Sequence, residues 1–363
     1  MLLRNKCVSG SATARVHIDG QPYINFFGAN YLALAQVPEI RAAVAAELAR
    51  GSAIGRQIPA TMGAKEPAFD AIERAGAEAL GTESSVYLAS GYLTGAVALK
   101  VFEKPYDLLF MDEHAHYSLR DAARMDERTP HYFAHCDPQA LREALDHWIK
   151  PGQRPIVLTD GVFATSGRVA PLGDYAAELS RFEGGLLVDE AHAFGVVGDH
   201  GRGAAELHAV EKLSVVGATL SKAYCAQGAL VGCPSSALDR IRAETPIRGS
   251  NAGSPLSAAA ATAAFTYMKA HPQIRVQLRV LADTLRGRLR QIGAEVVDTP
   301  APIVSFRVGR RPDMEYLQQR AFNHGVHLHY SDYIGAGKEG CIRCAVFRDH
   351  TPQDFDVMLS LLS

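Results

Sequence analysis

Val-Gly-Ala-Thr-Leu-Ser-Lys-Ala-Tyr-Cys-Ala-Gln-Gly-Ala-Leu-Val, residues 216–231, reads as an apolar strand that ends in a hydroxyl-rich turn carrying Lys222. A lysine at such a place is poorly solvated, which disfavours its charged form. Upstream, Gly-Leu-Leu-Val-Asp-Glu-Ala-His-Ala-Phe-Gly, residues 185–195, is a second buried-type strand that releases Asp189 and His192 at its carboxyl end. Open α/β sheets bind ligands at that edge. An acid, an imidazole and an amine are therefore expected to converge there.

Outward from these two strands, the β and α signals alternate. Strands are expected at Ser85–Ala89, Leu108–Met111, Pro155–Thr159, Leu186–Val188 and Val215–Thr219, and helices at about Pro67–Leu80, Ser118–Met125, Pro138–Trp148 and Tyr175–Arg181. That alternation predicts a mostly parallel, doubly wound α/β sheet. Ahead of it, residues 22–34 read as a short strand and turn and residues 38–50 as an alanine-rich helix. Beyond Pro255, a long alanine-rich helix and a second helix through Arg290 precede strands near Ile303–Val308 and Ile342–Phe347. The expected organisation is an amino-terminal segment (1–35), a large α/β domain (36–255) and a smaller carboxyl-terminal α+β domain (256–363).

Lys+Arg 37 against Asp+Glu 39 leaves a net charge of -2, which gives no reason to expect nucleic acid or an anionic membrane as partner. No apolar run reaches the ~18 residues of a spanning helix, and a soluble cytoplasmic location is expected. The six cysteines are scattered through the chain, a pattern of reduced thiols rather than of a disulfide framework. Cys341 and Cys344 form the one C-x-x-C, in a strand-like run where positions three apart face opposite sides of the pleat. Zinc or redox use of that pair stays the minor reading, and no metal is expected.

An amine for a Schiff base, a carboxylate that keeps a pyridine nitrogen protonated and a donor to a ring oxygen are what pyridoxal phosphate needs. Singly, each residue has a plainer reading: a surface Ser-Lys, Asp189 as a helix cap, His192 as a satisfied buried histidine. Order, spacing and neighbours together favour the site. The stretch Val-Asp-Glu-Ala-His-Ala-Phe-Gly-Val-Val-Gly-Asp-His-Gly-Arg-Gly, residues 188–203, resembles the α-oxoamine synthase family of fold-type-I pyridoxal-phosphate enzymes. The resemblance implies a mostly parallel seven-stranded sheet sandwiched by helices, with a smaller α+β carboxyl-terminal domain.

Carried residue by residue, the resemblance makes Lys222 the Schiff-base lysine, Asp189 the partner of the pyridine nitrogen and His192 the donor to the ring hydroxyl. Thr219 would touch the phosphate, as would Ser90-Gly91-Tyr92, which is similar to the family's Ser-Gly-Phe/Tyr turn. In Asp112-Glu113-His114-Ala115-His116-Tyr117-Ser118, His116 matches the histidine that stacks on the cofactor ring. The pair His114 and His116 has metal ligation as its alternative. Thr159-Asp160-Gly161-Val162-Phe163-Ala164 is similar to a turn beside the cofactor, with Asp160 and Ala164 departing from Glu and Ser. Arg343 matches the arginine that holds the substrate carboxylate, with Arg348 as competitor and a solvated strand residue as the plain alternative. Asn30, in Asn-Tyr-Leu-Ala-Leu, joins the substrate set, and Ser250 and Asn251 lie in the segment that reaches a neighbouring subunit's phosphate. Further departures are Pro67-Ala68-Phe69 where a histidine is expected, Ala229 for a glycine and Asn251 for a threonine.

The implied activity is condensation of a small α-amino acid with an acyl thioester, with loss of carbon dioxide and release of an α-amino ketone, by a homodimer with shared sites. An aminotransferase or decarboxylase on the same fold is the alternative enzyme, and a non-catalytic partner subunit the alternative of another class. The sequence leaves open the amino acid, the acyl group and whether the thiol is coenzyme A or a carrier protein.

Overall fold

A computed structural model describes residue 3 and residues 5–55, 66–102, 106–244, 247 and 253–362 of the chain. Seven strands form its central sheet, in the order Ser84–Leu88, Ala229–Cys233, Ser214–Thr219, Gly185–Asp189, Pro155–Asp160, Leu108–Asp112 and His131–Phe133. Ala229–Cys233 runs antiparallel to both neighbours and all other pairings are parallel.

That antiparallel strand departs from the reading of residues 216–231 as a single strand and turn. The chain folds back after Lys222, and Gly228 makes the re-entry at φ +109. A Cβ there would lie 2.5 Å from the Tyr87 ring and 2.7 Å from the Leu88 carbonyl, so glycine is required twice over.

The parallel strands read as near-continuous apolar runs because both faces are covered. Alternate residues feed opposite cores. Phe110, Val157, Leu186, Val188 and Val216 pack with helices Pro67–Leu80, Pro138–Trp148, Leu172–Leu179 and Pro255–Ala270. Leu109, Met111, Ile156, Leu158, Leu187 and Val215 pack with helices Thr94–Ala98 and Tyr117–Met125. The alanine run of the helix Pro255–Ala270 lets it lie close along helices Pro38–Ala49 and Pro67–Leu80. Among the described residues, no helix is long and apolar enough to cross a membrane.

The carboxyl-terminal elements include an antiparallel sheet of Ile303–Phe306, Cys341–Ala345 and His329–Ser331. Residues of the amino-terminal segment are bound into this part of the chain. Strands Val8–Ser9, Arg15–Ile18 and Gln21–Asn25 share a sheet with Val326–His327. Beyond that sheet, Ala345 N–H donates to Phe26 O (2.8 Å) and Arg348 N–H to Tyr31 O (2.9 Å). Such pairings, about 320 residues apart in sequence, have no local signature.

Glu190, next to Asp189, is buried and anchors the following loop. Its carboxylate accepts from Ala204 N–H (2.9 Å) and Ala205 N–H (2.8 Å), while burial lifts its pKa to about 7. It fills the space above Gly161, where an added Cβ would stand 2.3 Å from Glu190 Oε2. Gly161→Ala should therefore destabilise the fold by roughly 1–3 kcal/mol. Gly287→Ala, inside the helix Gln273–Gln291 with no atom within 4 Å of the new methyl, should stabilise it by about 0.5–1 kcal/mol. Denaturant midpoints moving in the same direction for both variants would contradict this packing.

Candidate active site

Four neighbouring parallel strands end at one edge in Asp112, Asp160, Asp189 and Thr219. The register sets Asp160 directly opposite Asp189, on backbones about 4.8 Å apart. Both are buried, and two carboxylates so close resist joint ionisation. Burial first, then the charge of Asp189, raises the Asp160 carboxyl well above its usual range, against the bond it accepts from His116 N–H (2.8 Å). Asp189 accepts from Ala191 N–H (2.9 Å), a neutral donor, while the Ser118 hydroxyl, 3.5 Å from Asp189, lies 2.7 Å from His116 Nδ1. No described residue forms an ion pair with it.

Lys222 lies in the turn that follows Thr219 and is largely withdrawn from solvent. Burial depresses its ammonium pKa to about 8, opposed by Asp189 and then Asp160. At pH 7 about one molecule in ten then carries the free amine, against fewer than about one in a thousand for an ordinary lysine. Thr219 Oγ1 lies 2.8 Å from Ser221 Oγ and donates to Gly228 O at 3.3 Å. The same side chain abuts Gly91, where a Cβ would fall 2.7 Å from Thr219 Cβ. The Ser90-Gly91-Tyr92 turn thus sits against the strand end that leads to Lys222. Ser90 Oγ accepts from Tyr92 N–H (3.2 Å), and Tyr92 itself is 49% exposed with its hydroxyl bonded to Asp121.

His116 caps the helix Tyr117–Met125, its Nδ1 accepting from Ser118 N–H (3.1 Å). A backbone N–H can only donate, so hydrogen-bond logic leaves Nδ1 bare and puts the ring proton on Nε2. Burial keeps this imidazole below its ordinary pKa, with Asp189 opposing and Lys222 adding to the effect. His114 goes elsewhere: its ring lies 4.3 Å from that of His135. The buried Asp112 accepts from His114 N–H (2.8 Å), His135 Nδ1 (3.0 Å) and Cys136 N–H (2.9 Å). Asp112, His135 and Cys136 are close enough to share an ion. Their carboxylate already ties two loops together, and burial, then Asp112, pushes the Cys136 thiol up to about 12. Among the described residues, no group of three or more possible ligands contains His114 and His116 together.

Arg343, 8% exposed, comes from the strand Cys341–Ala345. It donates to Ala164 O (2.6 Å), Gly28 O (3.3 Å) and the Tyr31 hydroxyl (3.2 Å). No described carboxylate pairs with this buried cation. Tyr31 also meets His192, its oxygen 2.8 Å from His192 Nδ1. His192 is buried, and burial followed by Lys222, Arg343 and His116 holds it well below its ordinary pKa. Among the described residues, Arg348 enters through its backbone bond to Tyr31.

Asn30, expected at the substrate, gives its amide to Ser11 O (2.9 Å) and meets Cys225 Sγ through Oδ1, bracing the turn after Lys222. Its neighbour Tyr31 reaches the charged cluster. Sequence reading missed Tyr31 because its partners lie 161 and 312 positions away. Cys341 and Cys344 are buried, free thiols in one strand. Ser250 and Asn251 lie outside the described residues. A small cavity beside His116, Asp160 and Phe163 shares Ser166 and Gly335 with a larger one of about 680 Å³ that is lined by Thr165, Arg168, Ser305 and Arg307.

The family model for aminotransferase class I and II matches residues 24–362. Among named relatives, an 8-amino-7-oxononanoate synthase of Geotalea daltonii is 28% identical over 99% of this chain and 92% of its own length. Another of that name, from Halorhodospira halophila, is 32% identical over 80% of this chain and 71% of its own. Among solved structures, a serine palmitoyltransferase from S. paucimobilis, with PLP and myriocin bound, superposes with a TM-score of 0.89. The match covers 98% of this chain and 91% of that one at 22% identity, a likeness of fold.

In cofactor-free protein, residue-resolved labelling by an amine reagent should give Lys222 a titration midpoint near pH 8. Asp189→Asn should move that midpoint down, since it removes the main charge that supports the ammonium. A midpoint near 10, or an upward shift in the variant, would contradict the electrostatics described.

Proposed function

The chain belongs to the aminotransferase class I and II family, in its α-oxoamine synthase branch, and from that premise we propose that it joins a small α-amino acid to an acyl thioester. Carbon dioxide and the thiol leave, and an α-amino ketone is released. The observation that carries this reading is the meeting of three unbalanced groups: Lys222 with its amine partly free near neutral pH and, among the described residues, Asp189 with no ion-pair partner and Arg343 with no carboxylate partner.

Enzymes of this branch depend on pyridoxal 5'-phosphate, and the residues fit it: an available amine, a buried carboxylate with no ion pair among the described residues and a turn whose Gly91 lies against Thr219. When bound, the cofactor supplies an electrophilic carbon for amines and a ring that draws electrons from the substrate α-carbon. Lys222 would hold the cofactor and would move a proton at the substrate α-carbon. Asp189 would stabilise a protonated ring nitrogen, beside an Asp160 carboxyl that burial and Asp189 push well above its usual range. His116, fixed as a helix cap, would offer a flat face to the ring, and His192 would donate to the ring hydroxyl. Ser90, Gly91, Tyr92 and Thr219 would receive the phosphate, and in a homodimer Ser250 and Asn251 would add to the partner's site.

Arg343 takes the amino-acid carboxylate with its planar fork. The cavity of about 680 Å³ that adjoins the small one beside His116 leaves room for a co-substrate larger than an amino acid.

The reading is tested by incubating the holoprotein with glycine, L-alanine or L-serine and a series of acyl-coenzyme A or acyl-carrier thioesters. Carbon dioxide and free thiol should appear in equal amounts. Carbon dioxide without thiol, or amino-group transfer to a keto acid, would assign a decarboxylase or an aminotransferase instead. Arg343→Lys should weaken amino-acid binding, followed by the absorption of the bound cofactor, roughly 10- to 100-fold, with cofactor affinity little changed. Equal binding by variant and wild type would remove Arg343 from the substrate site.

A further inference from the structure

The Tyr31 hydroxyl stands between two groups that the proposed chemistry uses, and among the described residues its one proton has one acceptor to go to. Tyr31 is 0% exposed, so water does not compete for it. Arg343 Nη2 is 3.2 Å from the Tyr31 oxygen; a guanidinium has no acceptor, so this contact occupies a lone pair of the hydroxyl. His192 Nδ1 is 2.8 Å from the same oxygen. If Nδ1 carried a hydrogen, the oxygen would accept twice and its own O–H would be buried without a partner, which disfavours that arrangement by roughly tenfold or more.

We infer that Tyr31 is a positioning residue that donates its proton to His192 Nδ1, fixes His192 as the neutral Nε2–H tautomer, and couples that imidazole to an anion bound at Arg343. The three side chains come from the amino-terminal segment, the loop after Asp189 and the strand Cys341–Ala345, so one hydroxyl joins three parts of the chain. Lys222, Arg343 and His116 are the charged or titratable groups that face His192, and together with burial they keep it neutral. An anion on Arg343 draws guanidinium protons away from Tyr31, making its hydroxyl a weaker donor to Nδ1. That coupling rests on the proposed carboxylate role of Arg343; the tautomer does not.

Magic-angle-spinning NMR of 15N-histidine-labelled holoprotein tests both parts. The chain has 14 histidines, and subtracting the spectrum of His192→Asn isolates the one of interest. Between pH 6 and 8 the wild type should show a bare Nδ1 and a protonated Nε2 at His192. Tyr31→Phe, which keeps the ring and removes the hydroxyl, should bring up the Nδ1–H tautomer to a tenth of the population or more. Arg343→Gln, which removes the obligatory donor, should move it the same way and serves independently if Tyr31→Phe does not fold. An Nδ1–H signal in the wild type, or an unchanged imidazole in the folded variants, overturns the inference. Saturating glycine, L-alanine or L-serine should shift the His192 Nδ1 signal in the wild type and not in Tyr31→Phe. Equal shifts in both overturn the coupling. No shift with any of the three, alongside the expected tautomer, counts against Arg343 as the carboxylate site and leaves the Tyr31 assignment supported.

Discussion

Asp160 and Asp189 stand opposite each other on adjacent parallel strands, and the cost of burying two carboxylates together sets the electrostatics of the whole edge. Burial and the charge of Asp189 together push the Asp160 carboxyl well above its usual range. That charge faces Lys222 and His116 and counters the burial that lowers both of their pKa values. The balance matters for Lys222: burial alone would strip its charge further, and full solvation would restore it to an ordinary lysine. Held at about 8, the amine is available both as nucleophile and as base in the physiological range.

A second set of contacts crosses the chain from end to end. Arg343, Tyr31 and His192 form one hydrogen-bonded line, and Arg343 is anchored besides on carbonyls of Gly28 and Ala164. Because every acceptor of this guanidinium is neutral, its charge stays uncompensated among the described residues. A buried cation in that condition favours an anionic ligand over a neutral one. The same line gives the amino-terminal strands a reason to pair with Val326–His327: that pairing delivers Tyr31 to the site.

Much of this was legible in the sequence where the signal is local. The helix Pro67–Leu80 can be read from its proline start and glycine stop. Lys222, Asp189 and Thr219 announce themselves as polar residues at the ends of apolar runs, and the central sheet follows from the alternation of those runs with helices. Where the determinant is distant, the sequence is silent. The return strand Ala229–Cys233 is separated from Thr219 by a turn whose form depends on Gly228 packing against Tyr87. Tyr31 differs from Asn30 only by partners more than a hundred residues away, and Glu190 gives no sign beside Asp189 that it caps the backbone at Ala204 and Ala205. His114 and His116, two positions apart in sequence, part company because one is tied to the group around Asp112 and the other to a helix cap.

The central claim is that Lys222 is the amine that holds the cofactor. Reduction of the purified protein with borohydride, followed by digestion and mass mapping, tests it most directly. The account predicts one pyridoxyl-modified peptide per chain, with the modification on Lys222, and none in Lys222→Ala. A pyridoxyl group on any other lysine of the wild-type protein would contradict it.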